Sequence, residues 1–148
     1  MFGRAGNEPK LIFPGLAGFY ASVADLWYPM IRIVFGASML FHGWGKVAAG
    51  QFSIAPSLIK YGIAPATPLG YVVVLLETIG ALCIILGLGT RVFAAGLAIE
   101  MAVIAFKVKL SGGFGQMELF VLFGVVFFAI ALRGGGPYSL DRQIGKEI

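Results

Sequence analysis

Apolar residues fill this chain in long blocks, and polar residues are confined largely to the short stretches between them. Residues 69–88 form the longest block, twenty positions, which crosses ~30 Å of hydrocarbon as a helix. A second block, 92–106, follows after only Gly89-Thr90-Arg91. The pair therefore predicts two antiparallel helices joined by a tight turn. Each block carries one acid near its middle, Glu77 in the first and Glu100 in the second. A carboxylate at that depth is costly unless it is neutral, paired or beside water.

Two further blocks complete a four-span pattern. The first span is expected over about 28–43, opened by Pro29, with Arg32 one turn in and His42 at its far end. The second covers 68–88, with Thr67 as N-cap and Pro68 at the first helical position, and stops at Gly87 and Gly89. The third is expected over 91–107. The fourth is expected over 116–132, from Gln116 and Glu118 to Arg133, before Gly134-Gly135-Gly136-Pro137 breaks the chain. Ahead of the first span, Leu16, Phe19, Tyr20, Val23, Leu26 and Trp27 recur at helical spacing opposite Ser22 and Asp25. They predict a short interfacial helix over 15–27, with Trp27 and Tyr28 at headgroup level. Residues 1–13 are expected to be a surface tail. The proline-rich connector 47–68 should hold one short surface helix and cover one end of the bundle. Ser139 caps a last interfacial helix over 139–148. The expected fold is thus one all-α domain, a four-transmembrane-helix bundle with short interfacial helices at the N-terminus, in the first connector and at the C-terminus.

Composition agrees with a membrane setting. The chain has 148 residues, of which 59% are hydrophobic and only 12% charged, against roughly 25% charged in soluble domains. The excess of 11 Lys+Arg over 7 Asp+Glu does not point to nucleic acid, because the basic residues stand singly at segment ends, where topology signals lie. Six of them (Arg4, Lys10, Arg91, Arg133, Arg142, Lys146) fall on the side of the termini and four (Lys46, Lys60, Lys107, Lys109) opposite. This balance favours cytoplasmic termini. The single cysteine and single histidine exclude an intrachain disulfide, a bis-histidine haem and a multi-histidine metal site. No metal site and no cofactor of the chain's own is expected. No apolar stretch precedes a small-residue cleavage site near the N-terminus, so no cleavable signal peptide is expected.

Helical rise places Arg32 ~9 Å, Glu100 ~13 Å and Glu77 roughly 18 Å from the cytoplasmic boundary. A long guanidinium can span the gap to Glu100, so Arg32, Glu77 and Glu100 are expected to form a buried polar cluster. His42, Trp44, Lys46 and Glu118 collect toward the opposite boundary. Two readings stand for that group: an interfacial belt with a snorkelling lysine, or a contact for a quinone headgroup, with His42 donating to a carbonyl and Trp44 stacking. Ala94, Ala98, Ala102 and Ala105 make a small-residue stripe nearly opposite Glu100. That face meets either the chain's own helices or another subunit, as a homo-oligomer or with other membrane subunits. Phe120, Phe123 and Phe127 form a stripe read as packing or lipid-facing.

Several motifs together resemble the DoxX family of small four-helix bacterial membrane proteins. They are Arg32-Ile33-Val34-Phe35-Gly36 followed by Leu40-Phe41-His42-Gly43-Trp44-Gly45-Lys46, then Glu77-Thr78-Ile79-Gly80, Leu86-Gly87-Leu88-Gly89-Thr90-Arg91 and Tyr138-Ser139-Leu140-Asp141. The resemblance covers about residues 28–142 and leaves Glu100 without a family role. It implies a subunit in the bacterial inner membrane, accessory to or linked by quinone to a respiratory or sulfur oxidoreductase. Any redox cofactor would then belong to a partner. Two other functions remain open: a structural or assembly subunit of a larger membrane complex, and a small transporter or proton relay.

Overall fold

The computed structural model describes residues 11–146; positions 1–10 of the expected 1–13 tail and positions 147–148 of the expected last helix lie outside them. Every described element is helical. After a single turn at Pro14–Leu16 come α1 (Ala17–Val23), α2 (Trp27–Ala48), α3 (Ala55–Lys60) and α4 (Ala66–Leu86). Then come α5 (Thr90–Val103), prolonged by a wide turn at Ile104–Val108, α6 (Phe114–Arg133) and α7 (Leu140–Ile144). Apolar blocks thus become long helices and Gly/Pro breaks become connections, as hydropathy predicts.

Among the described residues two helices are long and apolar enough to cross a membrane, α4 with 21 residues and α6 with 20. A third candidate is α2 taken together with Pro14–Val23, from which it is bent by 47°. The expected four spans therefore reduce to two or three on length and composition. The shortfall has identifiable causes: α2 carries Arg32, His42 and Lys46, and the regular part of α5 has 14 residues, about 21 Å of helix.

Boundaries shift where capping had been read from composition. α2 continues past His42 to Ala48, so Lys46 is still helical. α4 starts at Ala66, ahead of the expected Thr67 N-cap. Pro68 is accommodated because first-turn N–H groups have no intrahelical partner. The expected helix 15–27 ends at Val23, and the one over 139–148 ends at Ile144. Ser139 does cap α7, its Oγ accepting from Arg142 N at 3.2 Å. The connector lies back on α4 through Ile54 N donating to Gly70 O at 3.3 Å.

The bundle is held both by close helix approach and by large apolar side chains in its core. On α2 the buried positions Tyr28, Arg32, Gly36, Met39 and Gly43 recur every three or four residues and form one face. That face lies antiparallel on α4. A Cβ on Gly36 would sit 2.8 Å from Ile85 Cγ1, and one on Gly43 would overlap the main-chain carbonyl of Glu77. α4 meets α5 where Gly96 faces Leu76 and Gly80 faces Phe93. On α5, Ala94 and Ala105 are fully buried within the chain's own bundle, so half of the small-residue stripe is used internally. Ala98 is half-buried and Ala102 exposed. Phe127 is fully buried, and Phe35 packs edge-on to Phe123 at 4.9 Å. The phenylalanine stripe therefore serves packing.

Candidate functional site

α4 does not run as one regular helix. At Leu76–Gly80 it opens into a wide turn, a feature that accommodates one extra residue and recurs at functional sites. Glu77 lies in this turn, almost wholly buried, and its carboxylate accepts from the Lys46 ammonium of α2. Gly43 makes the pairing possible, because its missing side chain lets α2 settle on the Glu77 main chain. Glu100 on α5 lies against Glu77, within electrostatic reach of Lys46. It is 8% exposed, and its carboxyl meets that of Glu77 with no other hydrogen-bond partner among the described residues. Two carboxyls and one ammonium thus meet at the junction of α2, α4 and α5.

A cavity opens on each side of this junction. One, of about 220 Å³, lies between α2, α5 and α6 and is lined by His42, Lys46 and Glu77 with Met39, Met101 and Phe123. The other, of about 450 Å³, lies between α3, α4 and α5, and Glu100 is the one charged residue lining it. Glu77 faces the first cavity and Glu100 the second. Of the group expected near the far boundary, His42 and Lys46 line the smaller cavity. Trp44 and Glu118 are exposed and do not line it.

Arg32 does not join the acids, contrary to the expected cluster. Its guanidinium donates to the carbonyls of Gly135, of Tyr138 (2.6 Å) and of Ile85 (3.4 Å). The reason is register. Antiparallel packing sets Gly43 opposite Glu77 and Gly36 opposite Ile85, so Arg32 falls beside Gly87. Gly87 is ten residues from Glu77, or roughly 15 Å of helix. There a second polar group closes the other end of the bundle. Asp141 accepts from Gly89 N (2.7 Å), Thr90 N (3.1 Å) and Thr90 Oγ1 (2.8 Å), capping the start of α5 from a distant segment. Tyr28 Oη donates to Gly134 O. Arg91 Nη1 donates to Leu132 O at 2.6 Å, satisfying the end of α6. The Arg133 guanidinium covers the rings of Trp27 and Tyr28 at 4.8 and 4.5 Å.

This clasp was only partly legible. Ser139 follows a glycine run and announces a cap, but nothing local marks Asp141 as the cap of α5, 51 residues away. Asp141→Asn keeps the shape but removes one acceptor oxygen and the charge that balances Arg32. It is expected to lower stability by about 2 kcal/mol, read as a lower midpoint in detergent unfolding with helix content unchanged below the transition.

With both ends of the bundle described, the family is decided by one comparison: the DoxX family model matches residues 28–110. The chain belongs to the DoxX family. A second similarity is to an uncharacterized protein of Haemophilus influenzae, 30% identical over 125 residues, covering 79% of this chain and 90% of that protein. No solved structure matches. The DoxX match takes in α2 to α5 and so contains Arg32, His42, Lys46, Glu77 and Glu100; α6 and the Tyr138–Asp141 motif lie beyond it. In space the DoxX motifs sort into two groups that alternate along the chain. Arg32, Gly87, Thr90 and Asp141 build the clasp. Gly43, Lys46 and Glu77 build the polar junction, with His42 on the same cavity.

Proposed function

We propose that this DoxX-family protein is a membrane subunit of a quinone-linked oxidoreductase. In this reading it holds the quinone head in the cavity beside Lys46 and Glu77, and a partner subunit carries the redox cofactor. One observation supports it most: a half-buried ammonium on a buried carboxylate opens, beside His42, onto a largely apolar cavity of about 220 Å³. A headgroup of this class needs a donor for a carbonyl, apolar walls and a route for its tail into lipid. Lys46 and His42 supply donors, and Met39, Met101 and Phe123 supply walls. The cavity is small against the ~300 Å³ that opens the usual range for ligand pockets, so the head enters and the tail stays in the bilayer. Glu77 orients the ammonium and offers an acceptor for a quinol hydroxyl.

In the same reading α2, α4, α5 and α6 all cross the bilayer. α5 reaches the required length by including Ile104–Val108, for about 28 Å in all. The setting is the bacterial inner membrane, with cytoplasmic termini by the distribution of Lys and Arg. The clasp around Arg32 and Asp141 then stabilises the bundle at the cytoplasmic end, while the quinone enters from the opposite leaflet.

The test is titration of ubiquinone-1 into the protein in nanodiscs, with Trp27→Phe leaving Trp44, close to the cavity, as the fluorophore. Saturable quenching is expected, weakened at least about tenfold by His42→Leu without a change in thermal midpoint. Quenching that never saturates, or that ignores His42→Leu, would overturn the proposal and favour a structural or assembly role.

A further inference from the structure

The second cavity has features that the quinone reading leaves unused. It is about twice the volume of the first, at about 450 Å³, and its walls are nearly all apolar, with Leu58, Leu69, Leu76 and Ile99 among them. No Lys, Arg or His is among the described residues lining it. Into this space faces Glu100, 8% exposed, whose carboxyl meets one other polar side chain, the carboxyl of Glu77. Two carboxyls in contact hold together only while one of them carries a proton, because two like charges repel.

Charge counting names what can take the place of that proton. Glu77 and Glu100 are two acids, and the ammonium of Lys46 is bound to Glu77. With both acids ionised the junction carries one uncompensated negative charge, and its open side is the apolar cavity. A guest that replaces the shared proton needs one positive charge, at least one N–H donor for the Glu100 oxygens, and an apolar body to fill the space. Tyr61, the residue that follows α3, lines the same cavity and offers an aromatic surface of the kind that attracts cations.

We infer that the cavity between α3, α4 and α5 binds a lipophilic amine in its protonated form, its ammonium held by Glu100 in exchange for a proton. The groups that bear on this exchange are few. Glu77 on α4 and Lys46 on α2 lie beside Glu100. Tyr61, just after α3, lines the cavity, with Lys60 Nζ 5.7 Å over its ring. Lys107, two turns further along the chain from Glu100, is exposed. Proton and amine compete for one carboxylate, so occupancy rises with pH while the amine remains charged.

The experiment uses the full chain in neutral detergent and the carboxyl reagent dicyclohexylcarbodiimide, which reacts with protonated carboxyls in apolar surroundings. Mass spectrometry reads the adduct at Glu100. The probe is 4-phenylbutylamine, matched against the neutral 4-phenylbutan-1-ol. Glu100 is expected to be labelled in the free protein and protected by the amine. The half-protecting concentration should fall about tenfold per pH unit as pH rises, and the alcohol should protect poorly. Equilibrium dialysis should show saturable amine uptake that Glu100→Gln abolishes. Absence of the adduct, indifference to the amine, or equal protection by the alcohol would overturn the inference. Equal protection would identify a neutral hydroxyl guest, and indifference a cavity filled by lipid. The labelling arm uses only the wild-type chain, so it stands even where Glu100→Gln folds poorly.

Discussion

Lys46→Met is expected to destabilise the bundle by roughly 3–5 kcal/mol, the range for breaking a buried ion pair by removing one partner. The substitution is nearly isosteric, so packing changes little. What it leaves is Glu77 buried with no counter-charge and Glu100 beside it. Lys46 is itself 27% exposed, which moderates its own desolvation but not that of Glu77. The paired change Lys46→Met with Glu77→Gln should recover much of the loss, because it removes both charges together. Unfolding followed by helix content in mixed micelles would measure all three variants. Additive effects, with no recovery in the double variant, would show that the two side chains do not act as a pair.

A comparable loss is expected from a smaller change. Gly43→Ala adds one methyl group, and that carbon meets the Glu77 main-chain carbonyl rather than a side chain that can rotate away. Overpacking costs typically ~1–3 kcal/mol, and Gly43→Ala should lie at the top of that range. Helix α2 must retreat from the wide turn of α4, which also parts Lys46 from Glu77. Gly36→Ala provides the comparison. Its nearest neighbour is Ile85 Cγ1 at 2.8 Å, followed by Ala81 O at 3.2 Å. The isoleucine can change rotamer, so about 1 kcal/mol is expected. Equal midpoints for the two alanine variants would contradict the close approach at Gly43.

The sequence was most informative where solvent dictates the answer. Apolar runs bounded by Gly and Pro located α2, α4, α5 and α6 to within a few residues, because hydrocarbon admits little else. The acids Glu77 and Glu100 stood out for the same reason, and the fold brings them together. Their cation was not legible. Depths counted from helix starts put Arg32 near Glu100 and Lys46 at the headgroups, as if every helix began in one plane. The structure departs from this in three ways: α2 runs on to Ala48, Gly43 seats it against Glu77, and α4 opens into a wide turn at Leu76–Gly80. All three depend on contacts between helices, which hydropathy does not encode. Asp141 shows the same limit, since its bonds to Gly89 and Thr90 arise only once the chain has returned to the start of α5. The Arg32 clasp and the Lys46 junction use similar residues, and only the antiparallel register assigns each to its end.

The central claim is that Lys46, not Arg32, compensates the interior acids inside a lipid-embedded bundle. Magic-angle-spinning NMR of the protein in bilayers tests it most directly, by dipolar recoupling between ¹⁵N-labelled Lys or Arg side chains and ¹³C-labelled Glu carboxyls. A coupling from Lys46 Nζ to Glu77 Cδ that corresponds to direct contact, roughly 3–4 Å, with none from the Arg32 guanidinium to either acid, is the result this account predicts. A Glu77 carboxyl coupled to Arg32, or to no cation at all, would contradict it.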